Sequence, residues 1–273
     1  MEKHLIALDL DGTLLTDDKK ISERNKQAIQ KARQEGHIVA IATGRPHRAS
    51  IDYYNEMDLD TPMVNFNGAL IHHPNNSMWD SIHSPMSIRT ARKIVHTCKE
   101  LGVKNVLAEV RDDVFLDRYD EELLEIFHTS GTPITIGDIQ HHLNEDPTSI
   151  LIHPHPEQVP DLRKHLDDQH AELIDHRKWG APWHVIEVVR TGLNKAVGLH
   201  KIAHYYHIPQ ERIIAFGDED NDLEMLKYAG VGVAMDNAIS ELKDVSDYTT
   251  ESNEGDGIAV FLENYLKLSS KAI

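Results

Sequence analysis

The chain has 273 residues, of which 40% are hydrophobic and 27% are charged, an ordinary balance for one large or two modest globular domains. Its formal net charge of -17 argues against nucleic acid or an anionic membrane as the main partner, because both are bound through basic patches. A single cysteine, Cys98, excludes an internal disulfide and favours a reducing compartment. The sequence shows no signal peptide and no membrane-spanning stretch, so we expect a soluble, cytoplasmic protein.

The first predicted element is a short apolar strand that ends in an acidic turn. Residues 5–8 are apolar, and residues 9–13 read Asp-Leu-Asp-Gly-Thr. Such a run is typical of a strand buried on both faces of a parallel sheet, and open α/β sheets bind ligands beyond the carboxyl ends of these strands. Asp9 and Asp11 repel each other at this spacing, and a bound cation would relieve that repulsion.

A β-α-β unit follows. Ser22 is a suitable N-cap for a helix over residues 22–35, and Gly36 ends it. Residues 37–42, which are apolar after His37, then predict a second strand, which a right-handed crossover joins to the first. This strand runs into Thr43-Gly44-Arg45, so polar groups again follow the end of a strand.

A second unit interrupts this pattern after a predicted helix at 48–57, a short strand at 63–66 and a hairpin-like segment at 69–82. From residue 84 onward, helices alternate with hairpin signals, which is typical of an α+β unit with an antiparallel sheet. Its predicted elements are helices at 86–100, 119–128 and 159–168, and strands at 106–110, 114–117, 149–153, 173–176 and 184–189. We assign residues 84–187 to this inserted domain, and residues 1–83 and 188–273 to the core.

The α/β pattern then resumes. Lys195 lies near the start of a predicted helix over residues 193–206. A predicted strand at 212–216, which is apolar after Arg212, runs into residues 217–222, which read Gly-Asp-Glu-Asp-Asn-Asp. Further elements are predicted as a helix at 222–228, a strand at 231–235, a helix at 239–245, an edge strand at 248–249 and a closing helix at 257–268. The fold class is therefore α/β, with a doubly wound, mostly parallel, Rossmann-like core and an inserted α+β domain.

Four polar motifs thus occur in a fixed order: the aspartate pair, Thr43-Gly44, Lys195 and the acidic cluster at 217–222. Asp-Leu-Asp-Gly-Thr and Gly-Asp-x-x-Asn-Asp resemble the first and fourth motifs of the haloacid dehalogenase (HAD) superfamily of phosphatases. The large insert between the second and third motifs is similar to that of the Cof-type, subclass IIB members. This resemblance covers nearly the whole chain and implies that the inserted domain is a cap that determines substrate specificity.

The resemblance also implies a role for each motif residue. Asp9 is expected to be the nucleophile that forms an aspartyl phosphate, and Asp11 the general acid and then the general base. Expected phosphate-binding residues are Leu10, Thr43, Gly44, Lys195 and Asn221. Expected metal ligands are Asp9, Asp11 through its main-chain oxygen, and Asp218, with Glu219 or Asp222 completing or orienting the ligand set. The expected cofactor is Mg²⁺, since hard cations prefer oxygen ligands.

The expected reaction is Mg²⁺-dependent hydrolysis of a phosphate monoester on a small metabolite. The family resemblance makes three substrate classes plausible: sugar phosphates, flavin mononucleotide or its precursor 5-amino-6-(5-phosphoribitylamino)uracil, and pyridoxal phosphate. Two alternatives stay open, a phosphomutase or phosphotransferase on the same fold, and a non-catalytic metal-binding module. The expected partner is the phosphorylated metabolite alone, and the chain is expected to be a monomer or a weak homodimer.

Overall fold

The computed structural model describes residues 2–126, 132–170, 172–178 and 185–268. The chain divides into two compact units. The first comprises Met1–Gly44, Ile51–Ser81 and Asn194–Ile273, and the second comprises Arg45–Ser50 and Ile82–Leu193. Among the described residues, none of the helices combines the length and the apolar character needed to cross a membrane.

The secondary structure alternates between strands and helices along most of the chain. The strands are β1 (Leu5–Leu8), β2 (Ile38–Ile41), β3 (Met63–Asn65), β4 (Leu70–His72), β5 (Ile82–His83), β6 (Asn105–Val110), β7 (Asp113–Leu116), β8 (Ile134–Ile136), β9 (Ser149–His153), β10 (Ile174–Lys178), β11 (Ile186–Arg190), β12 (Ile213–Gly217), β13 (Val231–Ala234) and β14 (Tyr248–Thr249). The helices are α1 (Glu23–Gln34), α2 (Ile51–Glu56), α3 (Ile88–Glu100), α4 (Glu121–Ile126), α5 (Ile139–His142), α6 (Val159–His170), α7 (Lys195–Tyr205), α8 (Leu223–Tyr228), α9 (Ser240–Val245) and α10 (Gly257–Tyr265).

The first unit is built on a five-stranded parallel sheet in the order β14-β13-β12-β1-β2. Strand β1 lies between β12 and β2, with Leu5 paired to Ile213 on one side and to Ile38 on the other. All four residues of β1 are buried, as its unbroken apolar sequence predicts. The parallel α/β core is confirmed, and the carboxyl ends of β2, β1 and β12 therefore share one edge of the sheet.

Capping signals in the sequence located α1 correctly, but the next helix is shorter than predicted. The Ser22 hydroxyl accepts the backbone N–H of Asn25 at 3.1 Å, and Gly36 after the helix has a φ of +93°. The predicted helix at 48–57 is divided at Ser50 into a 3₁₀ turn, His47–Ala49, and α2. The buried Ser50 hydroxyl donates to backbone carbonyls of the preceding turn, and its φ of -127° ends that turn.

The second unit is built on a six-stranded sheet in the order β10-β11-β9-β6-β7-β8, which is antiparallel apart from the pair β7–β8. Apolar residues of α3, α5 and α6 form one cluster with residues of β6, β9 and β11. The mixture of hairpins and helices predicted an α+β unit of this kind. Strand β8 and the single-turn helix α5 were not predicted, and residues 127–128 of the predicted helix at 119–128 lie outside the described residues.

The short segment Arg45–Ser50 belongs to the second unit, although the sequence had placed it in the core. Its Arg48 guanidinium forms a buried ion pair with Glu109 of β6, and its backbone N–H donates to Asp112 at 3.0 Å. The hydroxyl of Ser149 in β9 donates to the other oxygen of Glu109. A lone buried ion pair produces no periodic pattern, so nothing in the sequence indicates this connection.

Candidate active site

The first unit brings most of the predicted site residues to one edge of its parallel sheet. Asp9 directly follows β1, Thr43 comes two residues after β2, and Asp218 directly follows β12. Because these strands are neighbours and parallel, their carboxyl ends meet. Lys195 is the first residue of α7, whose N-cap Asn194 accepts the backbone N–H of Val197 through its side chain at 3.2 Å.

The acidic turn after β1 is held closely by its own backbone. The carbonyl of the buried Leu10 accepts the N–H groups of Thr13 at 3.3 Å and Leu15 at 2.8 Å. Gly12 has a φ of +71°, and a Cβ at this position would lie 2.1 Å from Oδ2 of Asp218. Only glycine fits here, for reasons of both conformation and space. The Thr13 hydroxyl then donates to Asp218 at 2.8 Å, which connects this turn to the one after β12.

Lys195 is completely buried and forms two ion pairs. Its Nζ donates to Oδ1 of Asp9 at 2.7 Å and to Oδ1 of Asp222 at 2.7 Å. Burial by itself disfavours the charged ammonium, but the carboxylates of Asp222 and Asp9 outweigh that effect and raise the pKa of Lys195. Lys195 therefore remains a fixed positive charge inside the site.

Three buried carboxylates, those of Asp9, Asp218 and Asp222, each place an oxygen within 4.8 Å of the other two. Burial is the main cause that raises the pKa of both Asp9 and Asp218; repulsion from neighbouring carboxylates adds to it, and Lys195 opposes it. One ammonium does not balance three carboxylates. A hard divalent cation with a preference for oxygen ligands therefore fits this donor set.

The three carboxylates are not equivalent. Asp222 uses one oxygen for Lys195, and the other accepts the backbone N–H groups of Asp218 at 3.0 Å and Glu219 at 3.2 Å. Asp222 therefore orients the turn and the lysine, while Asp9 and Asp218 are better disposed to hold a cation. Neither the Glu219 nor the Asp11 side chain belongs to this cluster of described residues. The side chain of Asp11 is 44% exposed and pairs with Lys19 at 2.8 Å.

The predicted phosphate-binding residues Thr43 and Asn221 are linked through Asn67, which the sequence did not single out as a site residue. The N–H of the buried Thr43 donates to Val64 of β3 at 2.9 Å, and its carbonyl accepts the N–H of Asn67 at 3.2 Å. The side-chain amide of Asn221 donates to Oδ1 of Asn67 at 3.1 Å. A Cβ on Gly44 would lie 3.1 Å from Nδ2 of Asn67, so the loop after β2 packs closely on this amide.

Sequence reasoning missed two asparagines that support the site. Asn67 carried one usable signal, since Asn-Gly after a strand indicates a tight turn. Asn237 carried none: its side-chain amide donates to the carbonyl of Gly12 at 2.8 Å across 225 positions of sequence. Its own oxygen accepts the backbone N–H of Asn253 at 3.0 Å, which fixes the orientation of the amide.

A family model for haloacid dehalogenase-like hydrolases matches residues 6–262. The chain is 54% identical over 265 residues to the 5-amino-6-(5-phospho-D-ribitylamino)uracil phosphatase YitU of Bacillus subtilis, covering 97% of this chain and 98% of that protein. It is 29% identical over 282 residues to the pyridoxal phosphate phosphatase YbhA of Escherichia coli, covering 97% and 100% of the two chains. By their names, both relatives act on small phosphorylated molecules.

A solved structure supports the fold. It is that of a sugar phosphatase of HAD subclass IIB, which superposes on this chain with a TM-score of 0.82. The alignment covers 98% of this chain and 100% of the other, at 21% sequence identity. At this level of identity the similarity shows a shared fold only. The comparison of activity rests on the two phosphatases YitU and YbhA.

Proposed function

The chain belongs to the haloacid dehalogenase-like hydrolases and is a phosphatase, and from this premise we propose that it hydrolyses 5-amino-6-(5-phospho-D-ribitylamino)uracil. The relative with this activity is 54% identical and aligns with 97% of the chain, which favours a shared substrate over the pyridoxal phosphate of the more distant relative. The observation that best supports phosphoryl chemistry is that the buried Lys195 forms ion pairs with both Asp9 and Asp222, next to the carboxylate of Asp218.

The cation that we assign to this site is Mg²⁺, held by Asp9, Asp218 and the main-chain oxygen of Asp11. When bound, Mg²⁺ neutralises phosphate oxygens and the carboxylates around them. Asp222 keeps Lys195 and the turn after β12 in place, as its contacts with both support. The exposed Glu219 plays at most an outer, orienting part.

Asp9 is the proposed nucleophile. Lys195 holds one of its carboxylate oxygens at 2.7 Å, which fixes the carboxylate and leaves the second oxygen to attack phosphorus. The bond from phosphorus to the leaving oxygen then breaks, and an aspartyl phosphate remains on Asp9. Asp11, two residues later with a 44% exposed side chain, protonates the leaving oxygen and afterwards takes a proton from the water that hydrolyses the aspartyl phosphate.

Phosphate oxygens require donors, and four groups of the first unit are proposed to supply them. They are the hydroxyl of Thr43, the backbone N–H groups of Leu10 and Gly44, and the side-chain amide of Asn221. The Lys195 ammonium adds a fixed positive charge, which acts as a point charge on the phosphate. Positioned donors and charges of this kind supply most of the catalytic effect in phosphoryl transfer, because the reaction mainly requires orientation and charge neutralisation.

Phosphate release from a panel of phosphorylated metabolites tests this assignment. The panel contains the ribityl-aminouracil phosphate, flavin mononucleotide, pyridoxal phosphate and sugar phosphates, each with Mg²⁺ and with a chelator. We expect the ribityl-aminouracil phosphate to have the highest kcat/KM, and Asp9→Asn to abolish Mg²⁺-dependent release. Asp52→Asn is the matched control, because Asp52 is an exposed residue of α2. A higher kcat/KM for another substrate would refute the substrate assignment, and full activity of Asp9→Asn would refute the nucleophile.

A second candidate is transfer of the phosphoryl group to an acceptor other than water. The same aspartyl phosphate serves both reactions, so the site chemistry does not separate them. Adding sugar or alcohol acceptors to the assay separates them, since a phosphotransferase would convert acceptor to phosphate ester without equal release of phosphate. The family is described as hydrolases and the relatives are named phosphatases, which favours water as the acceptor.

The remaining roles are proposed on the same premise. We assign the selection of the leaving group to the inserted domain, residues 84–187. We place the protein in the cytoplasm, in keeping with its single, buried cysteine. We propose a monomer or weak homodimer, which light scattering over a range of concentrations tests directly.

A further inference from the structure

A left-handed turn follows β3 and connects three parts of the site. Phe66, Asn67 and Gly68 have successive φ values of 50°, 51° and 101°. Positive φ is uncommon for residues other than glycine, and least favourable for a bulky residue such as phenylalanine. Strained conformations of this kind persist only where surrounding contacts determine them, and they occur preferentially at functional sites. All three residues are buried.

The turn contacts three different elements that carry proposed phosphate-binding residues. The N–H of Asn67 donates to the carbonyl of Thr43 at 3.2 Å, and its Oδ1 accepts the amide of Asn221 at 3.1 Å. Gly68 passes close to the N-cap of α7: a Cβ there would lie 2.4 Å from the carbonyl oxygen of Asn194, the residue before Lys195. The turn therefore touches the loop after β2, the loop after β12 and the start of α7.

We propose that Asn67 is a positioning residue for phosphate binding, which orients the Asn221 amide and the Thr43-Gly44 loop so that both face the same phosphoryl group. This inference rests on the proposed function, since it assigns phosphate contacts to those two elements. An asparagine suits the position for two reasons. It tolerates a left-handed backbone better than most residues, and its side-chain oxygen accepts the hydrogen bond that fixes the Asn221 amide.

The test separates the side chain of Asn67 from its backbone conformation. Asn67→Gly keeps the left-handed backbone accessible and removes the amide, so the fold is expected to survive. The lost hydrogen bond is expected to lower kcat/KM between about twofold and about tenfold. The Mg²⁺ concentration for half-maximal activity is expected to stay unchanged, because Asp9 and Asp218 are held by other groups, the Lys195 ammonium and the Thr13 hydroxyl. Asp58→Gly is the matched control, since Asp58 is exposed and has a φ of 52°.

A double-mutant cycle with Asn221→Ala measures the positioning itself. If Asn67 acts through Asn221, the loss caused by Asn221→Ala will be smaller in the Asn67→Gly background than in the wild type. The proposal would be overturned if the decrease in kcat/KM of the double variant equalled the product of the decreases of the two single variants. It would also be overturned if the kcat/KM of Asn67→Gly matched that of Asp58→Gly.

Two further readouts keep this test independent of the substrate assignment. p-Nitrophenyl phosphate replaces the metabolite in the kinetic assay, so an incorrect choice of metabolite leaves the cycle intact. Binding of inorganic phosphate in the presence of Mg²⁺, measured by calorimetry, is expected to weaken by a similar factor in Asn67→Gly. Thermal midpoints of all variants are recorded, and a loss of phosphate binding that only follows a loss of folded protein would count against a positioning role.

Discussion

Replacing Lys195 by methionine tests whether the buried lysine stabilises the core as well as serving the reaction. Methionine has a similar length and removes the ammonium, so the change leaves Asp9 and Asp222 buried without their cation. Removing one partner of a buried ion pair costs about 3–5 kcal/mol, because an uncompensated charge remains. For a protein of this size, that loss lowers the midpoint of thermal unfolding by on the order of 10 °C.

The assay is urea unfolding in metal-free buffer, with and without added Mg²⁺. Adding Asp222→Asn to Lys195→Met removes one of the two stranded carboxylates, so the double variant is expected to be more stable than Lys195→Met alone. Mg²⁺ is expected to stabilise Lys195→Met more than wild type, because the added cation replaces the missing positive charge. Lys201→Met is the matched control on the same helix. Its carboxylate partner Asp80 is 97% exposed, and such a pair contributes only about 0.2–1 kcal/mol. The Lys201 ammonium also lies 4.7 Å from the centre of the Trp79 ring, a cation–π contact that adds about 0.5–1 kcal/mol.

Two results would refute this reasoning. One is a Lys195→Met variant whose unfolding free energy in metal-free buffer equals that of Lys201→Met. The other is an additive double variant, in which Asp222→Asn destabilises Lys195→Met as much as it destabilises the wild type. Phosphatase activity of Lys195→Met is measured in parallel and is expected to be lost in every case, since the fixed charge at the phosphate site is gone.

Three more predictions concern parts of the chain outside the reaction. Gly198→Ala is expected to cost about 1–3 kcal/mol, because its Cβ would lie 2.3 Å from Val64, and Val64→Ala should restore much of the loss in urea unfolding. Arg48→Met should cost about 3–5 kcal/mol by leaving the buried Glu109 carboxylate without its cation, and Glu109→Gln added to it should recover stability. Burial lowers the pKa of His37 below 6.5, so the unfolded state binds more protons in acid. Stability should therefore fall as pH drops below about 6.5, and His37→Gln should flatten that dependence.

The site residues whose positions could be predicted from the sequence are those that follow a strand of the parallel sheet. Asp9, Thr43 and Asp218 each follow an unbroken apolar run, and parallel strands bring the carboxyl ends of such runs to one edge. Apolar runs and capping residues are local signals, so these elements and the α/β class follow from short windows of sequence. Lys195 was found because it is the third of four motifs in the order that the family resemblance implies, and the structure places it as the first residue of α7.

The parts that were missed depend on contacts between single side chains far apart in the chain. Asn67 meets Asn221 across 154 positions, and Arg48 meets Glu109 across 61 positions. Neither contact repeats with a helical or strand period, so no hydrophobic pattern reports it. The left-handed backbone at Phe66 has a related cause: positive φ is unfavourable for a bulky residue, so the surrounding tertiary contacts, rather than local preference, select it.

The central position of β1 has a consequence for synthesis on the ribosome. One side of β1 pairs with β2 shortly after it, but the other side pairs with β12, roughly 200 residues later. At about 5–20 residues per second, β1 waits roughly 10–40 s for that partner. During this interval a wholly apolar strand presents an open edge, a recognised route to aggregation. We expect ribosome-bound chains that end before Ile213 to be protease-sensitive in the first unit, and chains extended past Gly217 and clear of the exit tunnel to become resistant.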